Sequence, residues 1–172
     1  MCATALRLGF AAADVVYDSP CKTVAEIHFA LQSGVHLNVD NLLELERVRT
    51  VRAELPPAVA ARAVIGLRVN TLVGAGKVSS LSVSTRKSKF GVLLPPEAGD
   101  ERSVIVDALA AADFVNSIHV HTGSGGMSVT QMAEGAGCAA QLAAEVNARR
   151  AAVGLQLIDV IDVGGGYALM LR

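Results

Sequence analysis

Two stretches of this chain are built alike, and together they narrow what it can fold into. Ile118-His119-Val120-His121-Thr122-Gly123-Ser124-Gly125-Gly126 reads as an apolar strand that delivers two histidines and breaks into glycines around a serine. Further on, Leu157-Ile158-Asp159-Val160-Ile161-Asp162-Val163 runs straight into Gly164-Gly165-Gly166. Each pattern predicts a strand that ends in a loop stripped of side chains. Glycine there lets backbone N–H groups approach a ligand closely, and a run of such groups suits a phosphate. With a histidine beside one loop, the pair points to a phosphorylated cofactor. The plainer alternative is two tight turns after buried strands.

The rest of the chain repeats the strand-then-helix rhythm. Residues 3–10 read as the last turns of a helix closed by Gly9, and 14–18 as a short strand. Lys22 to Ser33 has a helical stripe of Val24, Ile27 and Leu31, with Thr23 and Glu26 at capping-box spacing and Gly34 just past the end. A strand over 35–39 follows. Asn41 to Glu54 is the next helix, with Leu42, Leu45 and Val48 as its stripe, stopped by Pro56-Pro57. A third strand covers 63–70 and carries Arg68 near its end. An irregular stretch to Phe90-Gly91 has a length usual for functional loops. A helix over 96–112, the strand at 117–121, a long Ala-rich helix over 128–150 with Gly135 and Gly137 as weak points, and the 157–163 strand complete the order.

Strands alternating with helices imply a parallel sheet, either doubly wound or a barrel. Asp18, Asn38, Asn70, His121 and Gly164 all fall at strand C-termini, where both architectures bind ligands. The composition agrees: 52% hydrophobic with only 3% aromatic suits buried parallel strands under Ala-rich helices. A formal net charge of −1 with interspersed signs gives no pull toward nucleic acid or an anionic membrane. No apolar run is long enough to span a bilayer. Cys2, Cys21 and Cys138 are widely spaced and read as reduced thiols in a cytoplasmic protein. Met1 to Ala13 runs apolar like a signal peptide, but Arg7 interrupts it and no basic segment precedes it.

His119 and His121 stand two apart on one strand, so both side chains point to one face. Such a pair can ligate zinc, but further ligands are needed at other strand ends. His28 falls mid-helix and His36 at a strand start, so a pocket role for His121 is preferred and no metal is assigned. Arg68 reads either as a pocket residue or as an ion-paired arginine. Lys22, Lys77, Lys87 and Lys89 are the lysines, and none sits where a strand would present a nucleophile.

Five motifs in one order then resemble a known family. Tyr17-Asp18-Ser19-Pro20-Cys21-Lys22-Thr23, Gly66-Leu67-Arg68-Val69-Asn70, Ser88-Lys89-Phe90-Gly91, His119-Val120-His121-Thr122-Gly123-Ser124-Gly125 and Asp162-Val163-Gly164-Gly165-Gly166 are similar to the ornithine/diaminopimelate/arginine decarboxylases, the fold-type III pyridoxal-phosphate enzymes. The resemblance implies an α/β fold, a (β/α)8 barrel that holds pyridoxal 5′-phosphate, followed by a β-rich domain, in dimers with amino-acid substrates bound at the interface. It matches His121 to the histidine stacked on the pyridine ring, and Ser124 with Gly164, Gly165 and Gly166 to the phosphate-holding groups. It matches Arg68 to the arginine near the ring, and Lys89-Phe90-Gly91 to a loop near the dimer partner. Thr122 replaces the usual valine, a swap of similar shape.

By the same resemblance, residues 1–172 form one domain of about five βα units of a partial barrel. The family's Schiff-base lysine would lie before it, and the glutamate facing the pyridine nitrogen and the C-terminal β domain after it. The expectation is therefore a diaminopimelate-like decarboxylase barrel, inactive alone and dimeric or partner-dependent because two strand edges stay open. The alternatives are a non-catalytic barrel remnant that modulates a full-length homologue, a metal-dependent hydrolase using His119 and His121, and a generic phosphate-binding α/β domain.

Overall fold

The structure is a computed structural model, and it describes residues 2–74, 84–124 and 127–166. A short helix α1 (Cys2–Arg7) and a single 3-10 turn lead into strand β1 (Val16–Asp18). Then follow α2 (Val24–Ser33), β2 (His36–Val39), α3 (Leu42–Glu54), the one-turn α4 (Pro57–Ala60) and β3 (Ile65–Asn70). The second half holds a two-residue strand β4 (Val92–Leu93), α5 (Asp100–Ala110), β5 (Ser117–Val120), α6 (Val129–Ala151) and β6 (Val160–Asp162).

Helix ends sit where the side chains can satisfy them. Thr23 caps α2 reciprocally with Glu26, and Gly34 closes it in the left-handed conformation at φ 77°. Ser128 and Gln131 form the same reciprocal cap on α6. Pro56-Pro57 stops α3 as expected, but Pro57 also starts α4, because a proline's fixed φ suits a first helical turn. The last strand is shorter than its apolar run. Asn147 on α6 donates to the Ile158 carbonyl and accepts the Ile158 N–H, at 2.8 and 2.7 Å, which keeps that residue out of the sheet.

The described strands pair in parallel, in the order β1-β2-β3-β5-β6, with β4 pairing the far end of β3. Alternation along each strand divides the sheet into two unlike faces. Leu37, Val39, Ile65, Leu67, Val69, Ile118 and Val120 are buried together with Ile27, Leu31, Leu45, Val48, Ile105, Leu109, Leu142 and Val146 of the helices in one core. The other face carries Asp18, His36, Asn38, Gly66, Arg68, Asn70, Ser117, His119 and Asp162, with Val16, Leu93 and Val160 as its apolar members among the described strands. A doubly wound sheet would bury apolar residues on both faces. One apolar layer of helices and one polar, concave face make this part of a (β/α)8 barrel.

Gly135 does not weaken α6. A Cβ there would lie 2.8 Å from Thr122 Oγ1, so glycine lets the helix settle on the strand end. Near the other end of α6, the fully buried Arg150 donates to the carbonyls of Leu109, Ala112, Val115 and Gln156 at 2.6–2.8 Å. One guanidinium thereby satisfies the end of α5, the approach to β5 and the approach to β6.

Candidate functional site

The polar face ends in a cavity of about 440 Å³ at the C-terminal edge of the sheet, lined by Val16, Asp18, His119, His121, Asp162, Gly164 and Gly165. Strand register builds it. Arg68, His119 and Asp162 are direct neighbours across β3, β5 and β6, one residue pair above Gly66 and Ser117. Asp18, Asn38 and Gly66 are neighbours across β1, β2 and β3. A Cβ on Gly66 would overlap Asn38 Oδ1, so only glycine lets Asn38 lie across the face. From there Asn38 donates to Asp162 Oδ2 at 2.9 Å.

His119 stands between two carboxylates from the two outermost strands. Its Nδ1 is 3.0 Å from Asp162 Oδ2 and its Nε2 is 3.3 Å from Asp18 Oδ2. Neither N–H aims straight at its carboxylate, so the attraction is mainly between charges. Burial alone would favour the neutral ring, but Asp162 and Asp18 overcome it and raise the imidazole pKa to about 9. The reverse holds for the acids. Burial would raise both, yet His119 keeps Asp18 and Asp162 below the ordinary carboxylate range. His36 faces the same cluster from β2 and is held neutral chiefly by burial.

His121 has a different environment. The Gly165 N–H donates to its Nδ1 at 3.1 Å, which leaves the ring proton on Nε2, 3.4 Å from Ser124 Oγ. Burial, then the charges of Arg68 and His119, lower its pKa. His121 is therefore a neutral imidazole of defined tautomer. The Gly164 N–H donates to Asp162 Oδ1 at 2.9 Å, so the same carboxylate that meets His119 also anchors the glycine loop. Glycine is required at 164 and 166 by close approach of the two loops. A Cβ on Gly164 would lie 2.8 Å from the Val120 carbonyl, and one on Gly166 would collide with the Gly123 carbonyl. At Gly165 a Cβ would make only ordinary contact with His121 Cε1, at 4.0 Å, among the described residues.

The residues singled out from sequence thus fall into two groups. His121, Ser124, Gly164, Gly165 and Gly166 come together at the strand ends; Gly125 and Gly126 lie outside the described residues. Two of the glycine N–H groups expected to face a phosphate are instead bonded within the protein, to Asp162 and His121. Arg68 is buried beneath them, 3.5 Å from Asp18 and 3.9 Å from Asp40, with its guanidinium 4.8 Å above the Phe90 ring. The Ser88–Gly91 motif supports this arginine: Phe90 lies under it and the Gly91 N–H donates to Asp40. Lys22, expected at a helix start, lies in the preceding turn, where it donates to the Ser19 carbonyl and pairs with Glu44 at 3.1 Å, both side chains buried. Lys77 lies outside the described residues.

Asp18, Asn38 and Asp162 do more at this site than the sequence reading assigned to them. Their signal was a polar residue at every second strand position, where buried strands normally read apolar. Among the described residues, no group of three or more His, Cys, Asp or Glu is arranged to hold a metal ion.

Comparison with known proteins gives one consistent result. Residues 2–172 match the family described as pyridoxal-dependent decarboxylase, pyridoxal binding domain. The diaminopimelate decarboxylase of Methanothermobacter thermautotrophicus is 32% identical over 96% of this chain and 35% of its own length. That of Pseudomonas fluorescens is also 32% identical, over 97% of this chain and 38% of its own. A diaminopimelate decarboxylase variant from Helicobacter pylori, complexed with L-lysine, superposes on 94% of the chain and 38% of its own length, with a TM-score of 0.71 and 26% identity. The chain therefore spans little more than a third of these relatives.

Proposed function

The chain belongs to the pyridoxal-dependent decarboxylases, as their pyridoxal-binding domain, and from that premise we propose that it is the cofactor-binding barrel portion of a diaminopimelate-like amino-acid decarboxylase. The observation that carries the reading is the meeting of His121, Ser124 and the Gly164–Gly166 loop at the open end of a polar barrel face. The residues fit the family's cofactor. Gly165 holds His121 as a neutral imidazole through its N–H, and the Ser124 hydroxyl and the Gly166 N–H offer donors for a phosphate.

Bound pyridoxal phosphate supplies an electron sink for loss of a carboxyl group from an amino acid. The chain's own residues do the rest of what can be assigned to it. Ser124 and the glycine loop bind the phosphate, and His121 offers the flat of a neutral ring. Burial lowers the His121 pKa most, and Arg68, held by Asp18 and Asp40, adds a positive charge nearby that disfavours the protonated ring further. Lys22 is engaged by Glu44. By the family resemblance, these residues supply neither the amine that would hold the cofactor covalently nor the acid that would face the pyridine nitrogen. The preference for a diaminopimelate-type substrate rests on the relatives' names.

Titration of the chain with pyridoxal phosphate tests this. Saturable binding is expected, and borohydride should leave the cofactor removable by dialysis. Absence of binding by a chain shown to be folded would refute the site, and reductive attachment to one of its own lysines would refute the outside amine.

A second reading is favoured by the surface. Phe10, Val16, Val24 and Phe29 are exposed toward the β1 side, and Leu155, Leu157, Ile161 and Val163 toward the β6 side. These apolar residues support a barrel that works only with a partner, as a modulator of a full-length homologue. Co-purification with such a homologue separates the readings, since a modulator binds it and a cofactor domain need not.

A further inference from the structure

Asp162 touches both the glycine loop and the interior of the barrel face. One carboxylate oxygen accepts the Gly164 N–H at 2.9 Å, and the other takes Asn38 at 2.9 Å and His119 at 3.0 Å. His119 in turn reaches Asp18 on the opposite edge strand at 3.3 Å. Each ring nitrogen has a carboxylate oxygen within 3.3 Å, and two negative charges so close favour a positive ring over a neutral one. The ring is therefore favoured as a cation with a proton on each nitrogen. Besides Asp18 and Asp162, the groups that face it are His36 and Asn38 from β2, Arg68 from β3 and His121 two residues along β5.

We propose that His119 is a positioning residue, a charged strut that fixes the Asp162 carboxylate and through it the Gly164–Gly166 loop that receives the cofactor phosphate. The proposal rests on the assignment of that loop as a phosphate seat. Its mechanism does not involve contact with the ligand. When His119 loses its proton, the two flanking carboxylates lose the positive charge that holds them. Asp162 is then released from one of its three partners, and the Gly164 N–H follows it. The loop loses the preorganisation that makes its donors useful to an anion.

Carbon-detected NMR of the ligand-free full chain tests this without any cofactor. Labelling valine carbonyls with carbon-13 and glycine nitrogens with nitrogen-15 leaves only the Val73–Gly74, Val153–Gly154 and Val163–Gly164 linkages visible. The Val163–Gly164 signal should shift with the same midpoint as the His119 ring carbons, near pH 9. The other two linkages should stay still through that midpoint. A His119 titration that leaves Val163–Gly164 unmoved overturns the proposal.

The His119→Gln variant should lose the inflection and bind pyridoxal phosphate about fivefold or more weakly. Binding as tight as the parent's by a folded H119Q would also overturn it. If H119Q fails to fold, the titration of the unmodified chain decides alone. If the parent does not bind pyridoxal phosphate, the functional reading falls, while the Val163–Gly164 titration still judges the strut.

Discussion

At the residue scale, two histidines of one short motif do different work because they occupy successive inward positions. His121 lies at the strand end beside backbone donors, and His119 lies one step deeper between carboxylates. The pairing of inward positions follows from the sequence, since two residues apart on a strand means one face. The carboxylates do not. Asp18 and Asp162 belong to the two outermost strands, and they meet at His119 only because the sheet curves, which no local pattern encodes. This cluster sets a pH dependence for stability. Below pH 6.5 the ring is protonated in the folded and unfolded chains alike, so its contribution is complete. Above that pH the unfolded chain gives up the proton first, and stability should fall until about pH 9, by roughly 3 kcal/mol. On the acid side, the depressed Asp18 and Asp162 lose their contribution as pH drops below 3.8. Urea unfolding across this range should show the alkaline decline, and H119Q should flatten it. An equally steep decline in the variant would move the cause elsewhere.

Elements were legible to different degrees. The caps were plain: Thr23 with Glu26 and Gly34 marked the ends of α2, and all three act as their chemistry requires. The short pieces were not. α4 is one turn and β4 two residues, too brief for any periodicity to register. Leu157 and Ile158 at the head of the 157–163 run are apolar enough for a strand, yet Asn147 from the preceding helix takes the Ile158 backbone. Gly66 shows an element whose identity was visible but whose reason was not. Its missing side chain makes room for Asn38, and Asn38 is a ligand of Asp162. Gly66→Ala should therefore destabilise the chain by about 1–3 kcal/mol and weaken pyridoxal phosphate binding through Asp162. Denaturation midpoints and a cofactor titration measure both. A G66A chain as stable as the parent would mean that Asn38 has another place to go.

At the scale of the molecule, alternation of strands and helices established a parallel sheet but left a doubly wound sheet and a barrel open. The polar residue at every second strand position resolves it, because a face lined by His36, Asn38, Arg68 and His119 cannot lie under a second apolar helix layer. Among the described residues the sheet ends at β1 and β6, each with apolar side chains exposed beside it. An open parallel edge with apolar flanks favours association. Sedimentation of the isolated 172-residue chain should show self-association that grows with concentration, and a monomer with a cooperative thermal transition would refute the open-edge argument.

Arg150 has a consequence for how such a piece comes apart. Its bonds to Leu109, Ala112, Val115 and Gln156 tie two chain segments, the 109–115 passage from α5 to β5 and the approach to β6, to one side chain buried in the core. Releasing either segment strands a desolvated cation against the other. Helices α5 and α6 and strands β5 and β6, which carry both loops of the site, therefore share one opening free energy and behave as a single cooperative block. Fraying of the first half of the sheet from that block would withdraw Asn38 and Asp18, and so loosen Asp162 and the glycine loop that it anchors.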